Sequence, residues 1–108
     1  MTKMDALKPD RIKIVIAGIN GRMGRASAHA ILSNNRFKLS GAFGKSGADY
    51  VGKDIHDLIG MPGGSTTGIL VSNGILDAIS GTHPDVLLDF TRAESAYEHG
   101  KVAMEQYV

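Results

Sequence analysis

The chain has 108 residues, of which 43% are hydrophobic and 21% charged, and its formal net charge is +1. This length predicts one domain with a hydrophobic core, and the balanced charge disfavours a nucleic-acid or membrane surface as partner. The absence of cysteine excludes a disulfide framework and a thiolate site. No apolar run reaches membrane-spanning length, and Met1–Asp10 lacks the apolar core of a signal peptide. We therefore expect a cytoplasmic protein with a mobile leader at Met1–Asp10.

The segment Arg11–Gly24 predicts a buried strand, a glycine-rich turn and the start of a helix. Its nearly continuous β-branched run, IKIVI, is typical of a parallel strand that is covered on both faces. Gly18, Gly21 and Gly24 then follow at intervals of three residues. Such a turn directs the first N–H groups of the helix, and the positive end of its dipole, towards an anion.

The turn differs from the usual dinucleotide fingerprint, because Asn20 stands where that pattern has glycine. Asparagine enters the left-handed region readily, so we expect the turn to close at Asn20. Arg22 opposes the dipole of the helix it begins, which a bound phosphate would offset. The pattern therefore predicts nucleotide binding, and the alternative is a structural turn without a ligand.

The next elements alternate between helix and strand. A helix is predicted over Met23–Asn34 and a strand with alternating faces over Phe37–Phe43. The polar loops Gly44–Lys53 and Met61–Gly68 flank a short helical turn at Asp54–Ile59. We expect the first helix to bury one face, which is formed by Met23, Ala26, Ser27, Ala30 and Ile31.

The second half of the chain repeats this alternation. It predicts a short strand at Ile69–Val71, a small helix from a cap at Asn73 to Ile79, and a strand at Val86–Asp89. The small helix should bury Ile75, Leu76 and Ile79.

The final helix follows Thr91, which forms a capping-box pattern with Glu94. Its apolar residues recur at helical spacing, and we interpret them as core packing against the sheet. They are Ala93, Ala96, Tyr97, Gly100, Ala103, Met104 and Tyr107.

This succession predicts an α/β fold with a Rossmann-like parallel sheet in strand order 3-2-1-4. In that order, the turn Gly18–Gly24 and the segment Asp89–Arg92 meet at the switch point of the sheet. The last strand lies at an edge, so the sheet is expected to be incomplete at its C-terminal side. Residues Arg11–Val108 are assigned to one dinucleotide-binding domain.

The tip of the second strand reads Ala42-Phe43-Gly44-Lys45-Ser46 and carries no acid that could bind a ribose 2′-hydroxyl. Lys45 and Ser46 could receive a 2′-phosphate instead, which predicts a preference for NADP. The alternative is that Lys45 is a solvated loop lysine.

Candidates for catalysis and metal binding are weak. The four histidines, His29, His56, His83 and His99, lack metal-ligand spacing and are interpreted as surface or boundary residues. Asp89 ends a strand at the switch point, where we favour a structural role over a catalytic one. We therefore predict no catalytic residue and no metal site in this chain.

The residues described so far resemble a known family. The stretches IVIAGINGRMG and VLLDFTRAE, and the loop SGADYVGKD, are similar to the N-terminal domain of dihydrodipicolinate reductase (4-hydroxy-tetrahydrodipicolinate reductase). The resemblance covers Arg11–Val108. The glycine turn is shared with many reductases, whereas its pairing with Asp89-Phe90-Thr91-Arg92 at this distance is more specific.

The resemblance implies a nucleotide-binding domain of an enzyme of lysine and diaminopimelate biosynthesis. That enzyme reduces the dihydrodipicolinate-level intermediate with hydride from NADPH or NADH, and we expect NADPH to be preferred here. The resemblance places Arg22 and Lys45 near the 2′-phosphate, and Gly44 where some members carry a ribose-binding acid. The implied cofactor-binding residues are Gly18, Ile19, Asn20, Gly21, Arg22, Met23, Lys45, Phe90, Thr91 and Arg92.

The resemblance also implies parts that these residues do not contain. Family members have a Gly-Thr-Thr-Gly turn at the nicotinamide, a second domain that binds the small-molecule substrate, and homotetramer contacts. We therefore expect the 108-residue chain alone to be inactive. The alternatives are the nucleotide-binding domain of another reductase, such as an amino-acid dehydrogenase, and a stand-alone nucleotide-sensing module. A further alternative is a fragment that pairs with a second copy through its edge strand.

Overall fold

The structure is a computed structural model that describes residues 11–60 and 66–108. The leader expected at Met1–Asp10 and residues 61–65 of the expected loop lie outside the described residues. The described helices and strands, in chain order, are β1 (Ile12–Ala17), α1 (Arg22–Leu32), β2 (Phe37–Phe43), α2 (Ile55–Ile59), α3 (Ile75–Ile79), β3 (Val86–Asp89) and α4 (Ala93–Glu105). Within these residues, no helix is long and apolar enough to cross a membrane.

The three described strands form an all-parallel sheet in the order β2-β1-β3. The β-branched strand β1 is central, which agrees with its burial from Ile14 to Ala17. The α/β class and the strands expected at Phe37–Phe43 and Val86–Asp89 are confirmed. In the described sheet, β3 is an edge strand, as expected.

The strand expected at Ile69–Val71 does not form, so the described sheet has three strands rather than the four of the order 3-2-1-4. The backbone of this segment bonds to the preceding loop instead. Ile69 accepts from the N–H of Ile55 at 2.9 Å, and Val71 donates to the carbonyl of Lys53 at 2.9 Å. In the described residues, Ser72, directly after this segment, makes one isolated parallel bridge to Phe43 of β2.

Two apolar clusters cover the two faces of the sheet. Helices α1 and α2 lie over one face, and α3 lies over the other beside α4. The first cluster is centred on Ile14, Ile16, Ile19, Ala28, Ile31, Leu39, Ala42, Ile55 and Val71. The second is centred on Val15, Ala17, Phe43, Ala78 and Ile79. The approach of α3 to β2 depends on Gly41, since a Cβ there would lie 2.6 Å from the carbonyl oxygen of Ala78.

The buried face of α1 differs from the expected stripe. Gly24, Ala28 and Ile31 are buried, whereas Met23 is 58% exposed. The cause is Gly24, where a Cβ would overlap the carbonyl oxygen of Gly18. Because α1 packs with Gly24 against the turn, the neighbouring Met23 faces solvent.

The caps and stripes of the two later helices also differ from expectation. Gly74, not Asn73, is the N-cap of α3, and Leu76 is 53% exposed. In α4, Ala103 is buried, while the large side chains of the expected stripe are exposed. These are Tyr97 at 68% and Met104 at 75%; Tyr107, which the sequence placed in the same stripe, lies beyond the end of α4 and is 96% exposed. The core-packing interpretation of those three residues is therefore wrong.

Candidate functional site

A cleft of about 1200 Å³ lies at the C-terminal ends of the strands. Its walls are the turn after β1, the loop after β2, the start of α3, the segment after β3 and one face of α4. The carboxyl ends of parallel strands, where neighbouring connections diverge, are the usual place for a ligand in open α/β sheets. The topology thus places the candidate site at the expected edge.

The turn after β1 is tied to the end of β2. The N–H groups of Gly18 and Ile19 both donate to the carbonyl of Phe43, at 2.9 and 3.2 Å, and Gly21 donates to Gly18 at 3.1 Å. Gly18 has a φ of 82°, in the left-handed region where glycine is favoured. These amides are therefore used inside the protein and shape the turn.

The N-terminus of α1 is the part of this turn that is suited to an anion. Gly21 is the N-cap and provides no side-chain hydrogen bond, and the first turn contains no acidic residue. The first N–H groups of a helix have no intrahelical partners. A Cβ at Gly21 would meet only the carbonyl oxygen of Gly18, at 3.5 Å, so the cleft side of this residue is open. The dipole and the amides together favour a phosphate there.

Asn20 does not adopt the left-handed conformation that we expected, because Gly18 takes that role in the turn. Instead, Oδ1 of the Asn20 side chain accepts from Arg25 Nη2 at 2.6 Å. The backbone carbonyl of Asn20 accepts from Arg25 Nε at 3.1 Å. Arg25 was not identified from the sequence. Arg25 lies in α1, five residues after Asn20, and its two hydrogen bonds hold Asn20 against the first turn of that helix.

The loop after β2 forms a second wall and carries Lys45 and Ser46. The backbone N–H of Lys45 donates to the hydroxyl of Tyr50 at 2.8 Å. The N–H of Gly47 donates to Oδ1 of Asn73 at 2.7 Å. Tyr50 and Asn73 also line the cleft, and the sequence did not single out either as a site residue.

The segment after β3 forms the third wall. The N–H of Phe90 donates to the carbonyl of Ala17 at 3.0 Å, which continues the pairing of β3 with β1. Both the N–H and the hydroxyl of Thr91 donate to Oδ1 of Asp89. The expected capping box is therefore wrong: Arg92 is the N-cap of α4, and the Thr91 hydroxyl binds the preceding aspartate rather than the helix.

Asp89 lies at the base of this wall and accepts from a backbone N–H group, as a structural role would require. Burial acts to raise the pKa of its carboxyl, but the hydrogen bonds from Thr91 and the contact with His99 outweigh it and hold the pKa below its usual value. Nδ1 of His99 lies 2.7 Å from Oδ2 of Asp89. The expectation of a surface or boundary position missed this contact and the place of His99 in the cleft wall.

The structure brings together seven of the ten residues expected to bind the cofactor. Those that line the cleft are Gly18, Asn20, Gly21, Lys45, Phe90, Thr91 and Arg92. The side chain of Ile19 is buried in the core, while Arg22 and Met23 are exposed outside the cleft wall. In the described part of the chain, no group of three or more His, Cys, Asp or Glu residues is arranged to hold a metal.

These features fit a nicotinamide dinucleotide. The cleft is large, one wall offers an uncapped helix N-terminus, and Lys45 and Arg92 bring cations to two other walls. The chemistry available from these groups is anion binding and nucleotide positioning.

Comparison with known proteins gives one consistent family. A family profile described as "Dihydrodipicolinate reductase, N-terminus" matches residues 12–108. Two curated relatives are named 4-hydroxy-tetrahydrodipicolinate reductase. That from Paraburkholderia phymatum is 39% identical over 93 residues, covering 86% of this chain and 33% of its own length. That from Neisseria meningitidis is 39% identical over 97 residues, covering 90% of this chain and 34% of its own length.

A solved structure shares the fold. It is entitled "Dipicolinate bound Dihydrodipicolinate reductase from Paenisporosarcina sp. TG-14", with a TM-score of 0.62, 23% identity, and coverage of 88% of this chain and 34% of that one. The chain thus spans about a third of the length of the relatives it matches. The profile match over nearly the whole described chain shows that it belongs to the dihydrodipicolinate reductase family, in the part that forms the N-terminal domain.

Proposed function

We propose that this chain is the NADP(H)-binding domain of a 4-hydroxy-tetrahydrodipicolinate reductase. The observation that carries the proposal is one cleft that is lined both by the uncapped N-terminus of α1 and by the loop of Lys45. A helix N-terminus suits a pyrophosphate, and a cation at the end of the second strand suits a 2′-phosphate. Family membership supports the nicotinamide dinucleotide over other phosphate ligands.

The proposed arrangement assigns one wall of the cleft to each part of the cofactor. The turn of Gly18–Met23 holds the pyrophosphate and the adenosine side. Lys45 and Ser46 bind the 2′-phosphate, and Phe90, Thr91 and Arg92 lie beside the ribose and nicotinamide. Arg22 is exposed at the helix start, and we propose that its guanidinium swings to the phosphate when nucleotide is bound.

The whole protein's reaction is proposed from its relatives. When bound, the nicotinamide cofactor supplies the hydride, and the protein holds it against the dihydrodipicolinate-level substrate of lysine and diaminopimelate biosynthesis. We propose that the substrate is held by a further domain and that the intact enzyme is a cytoplasmic homotetramer. Because these residues span about a third of the relatives' length, we expect this chain alone to bind nucleotide without turning substrate over.

Family membership removes the alternative of an amino-acid dehydrogenase. A stand-alone nucleotide sensor and pairing of two copies through β3 stay open as predictions. Light scattering over a range of protein concentrations tests the pairing, because a dimer built on the β3 edge would raise the mass as concentration rises.

Calorimetric titration with NADPH and NADH tests the proposed function. We expect tighter binding of NADPH, and we expect Lys45→Ala to weaken NADPH about tenfold or more while NADH changes little. The matched control is Lys53→Ala, since Lys53 is exposed and does not line the cleft. Binding of neither nucleotide, or equal loss of both in Lys45→Ala, would contradict the proposal.

A further inference from the structure

We infer that Tyr50 is a specificity-determining residue that sets the preference for a 2′-phosphorylated nucleotide over an unphosphorylated one. It does so in two ways: it holds the backbone of Lys45, and it fills the space where an acid would stand at position 44. The inference rests on the proposed function, because it concerns the same cleft and deepens the role of Lys45 there.

The first observation is the hydrogen bond between the loop and the tyrosine. The N–H of Lys45 donates to the Tyr50 hydroxyl at 2.8 Å, across five residues of the same loop. The N–H of Ala48 also donates to the carbonyl of Lys45 at 3.2 Å. Lys45 is therefore held on both sides of its backbone, although its side chain is exposed.

The second observation concerns the space beside Gly44, the residue that follows β2. A Cβ built on Gly44 would overlap the Tyr50 hydroxyl oxygen and lie 3.0 Å from the ring atoms Cε1 and Cζ. Gly44 has no positive φ, so the backbone at this position would accept other residues. The three atoms nearest to such a Cβ all belong to Tyr50, so a side chain at position 44 requires Tyr50 to leave its present position.

These observations have a consequence for nucleotide choice. In dinucleotide-binding folds, an acid near the end of the second strand binds the ribose 2′-hydroxyl and repels a 2′-phosphate. An acid at Gly44 would force Tyr50 away and break its bond to Lys45. The tyrosine in its present position and such an acid thus exclude each other, and the tyrosine also holds the backbone of Lys45, whose side chain carries the cation that attracts the phosphate.

Asn73, which precedes the N-cap of α3, binds the same loop at a second point. Its Oδ1 accepts from the N–H of Gly47 at 2.7 Å, over a separation of 26 residues. The loop is therefore tied at Lys45 by Tyr50 and at Gly47 by Asn73. Ordering the loop before binding reduces the entropy that binding must otherwise remove.

The test compares pairs of nucleotides that differ by one phosphate. The affinities of 2′,5′-ADP and 5′-AMP, and of NADPH and NADH, are measured by calorimetry for the wild-type chain and for Tyr50→Phe. We expect the preference for the 2′-phosphorylated member to fall about fivefold, through weaker binding of that member alone. Tyr97→Phe is the matched control, because Tyr97 is 68% exposed and does not line the cleft.

A second pair of variants tests the exclusion at position 44. In Gly44→Asp, we expect NADPH binding to fall without a gain for NADH, since the new carboxylate meets Tyr50. Adding Tyr50→Ala should open the space and reverse the preference towards NADH. Double-mutant comparison of the four chains then gives a coupling between the two positions, which independent sites would lack.

Each outcome decides a separate statement, provided that thermal unfolding shows the variants to be folded. A wild-type chain that binds neither nucleotide contradicts the proposed function and this inference together. A wild-type chain that prefers NADPH, with the same preference in Tyr50→Phe and no coupling between positions 44 and 50, overturns the inference and leaves the proposed function standing. A selective loss in Tyr50→Phe, with coupling, supports both.

Discussion

Nδ1 of His99 lies 2.7 Å from Oδ2 of Asp89, and this contact joins the middle of α4 to the C-terminal end of β3. The His99 ring also meets Phe43 edge-on, with ring centroids 4.9 Å apart and planes at 89°. Phe43 ends β2 and accepts the two amides that shape the glycine turn. One histidine therefore links α4 to the C-terminal ends of β3 and β2, at the base of the cleft.

We predict that His99→Ala lowers the free energy of unfolding by about 1–2 kcal/mol, because it removes a partly buried hydrogen bond and an aromatic contact. Urea denaturation followed by circular dichroism measures this loss. His29→Ala is the control, since His29 is exposed on α1, and it should change stability by less than about 0.5 kcal/mol. Equal stability of the two variants would show that the contact with Asp89 contributes nothing.

Asp54 holds the segment Thr67–Gly68 against the start of α2. Its carboxylate accepts from the N–H groups of His56, Thr67 and Gly68 at 2.8, 3.0 and 2.9 Å, and from the Thr67 hydroxyl at 2.7 Å. Burial alone would raise the pKa of Asp54, but these hydrogen bonds outweigh it and bring the pKa to about 2. The aspartate thus caps α2 and fastens Thr67 and Gly68 to it.

We predict that Asp54 gives the chain an acid-dependent stability. Its pKa is lower in the folded state than the usual 3.8, so its contribution is complete above about pH 4 and is lost as the pH falls towards 2. Asp54→Asn should therefore lose about 1–3 kcal/mol of unfolding free energy at pH 7 and little at pH 2. Urea midpoints measured across this range test the prediction. The exposed Asp49→Asn is the control, and a loss that does not depend on pH would contradict the assignment.

The strands of the sheet can be predicted from the sequence where the residue pattern within the strand is itself distinctive. The β-branched run of β1 suits a buried parallel strand, and the alternating faces of Phe37–Phe43 are typical of a strand; both form, as does the short apolar strand Val86–Asp89. Ile69–Val71 has a similar composition, but its backbone hydrogen bonds go to the loop before α2. Which partner a short apolar segment takes is decided by tertiary packing, which local propensity does not contain.

Some residues of the candidate site could likewise be predicted from the sequence, and others could not. The glycine turn, Lys45 and Thr91 could be found because their residue types sit directly after predicted strands. Tyr50 and Asn73 act through hydrogen bonds to backbone N–H groups, 5 and 26 residues away in the chain. A single sequence gives no signal for such bonds, since tyrosine and asparagine in a polar loop also fit a solvated position.

In α4, two neighbouring residues of the stripe expected from helical spacing differ in burial, and substitutions can test this difference. Ala103 is 5% exposed and Met104 is 75% exposed, although both belong to the stripe expected from the sequence. We predict that Ala103→Asp destabilises the chain by about 3 kcal/mol or more, because it buries an unpaired charge. Met104→Asp, the matched control on the next residue, should change the free energy of unfolding by less than about 0.5 kcal/mol. Comparable losses in both would mean that the helix presents the methionine to the core.

Alanine substitutions at Gly21 and Gly24 should distinguish an effect on stability from an effect on nucleotide affinity. A Cβ at Gly24 would overlap the carbonyl oxygen of Gly18, and the backbone has no room to move it aside, so Gly24→Ala should cost about 2 kcal/mol or more in stability. At Gly21 the nearest atom to a Cβ is 3.5 Å away, so Gly21→Ala should keep the wild-type stability within about 0.5 kcal/mol.

The same methyl group at Gly21 would stand at the start of α1, on the wall of the cleft where we propose that the pyrophosphate lies. Because a phosphate must approach the helix amides closely, we predict that Gly21→Ala weakens NADPH and NADH alike, by about tenfold. Chemical denaturation and calorimetry on the same samples separate the two effects. A Gly21→Ala chain that is fully folded and binds both nucleotides as tightly as the wild type would mean that the turn is structural and the phosphates lie elsewhere.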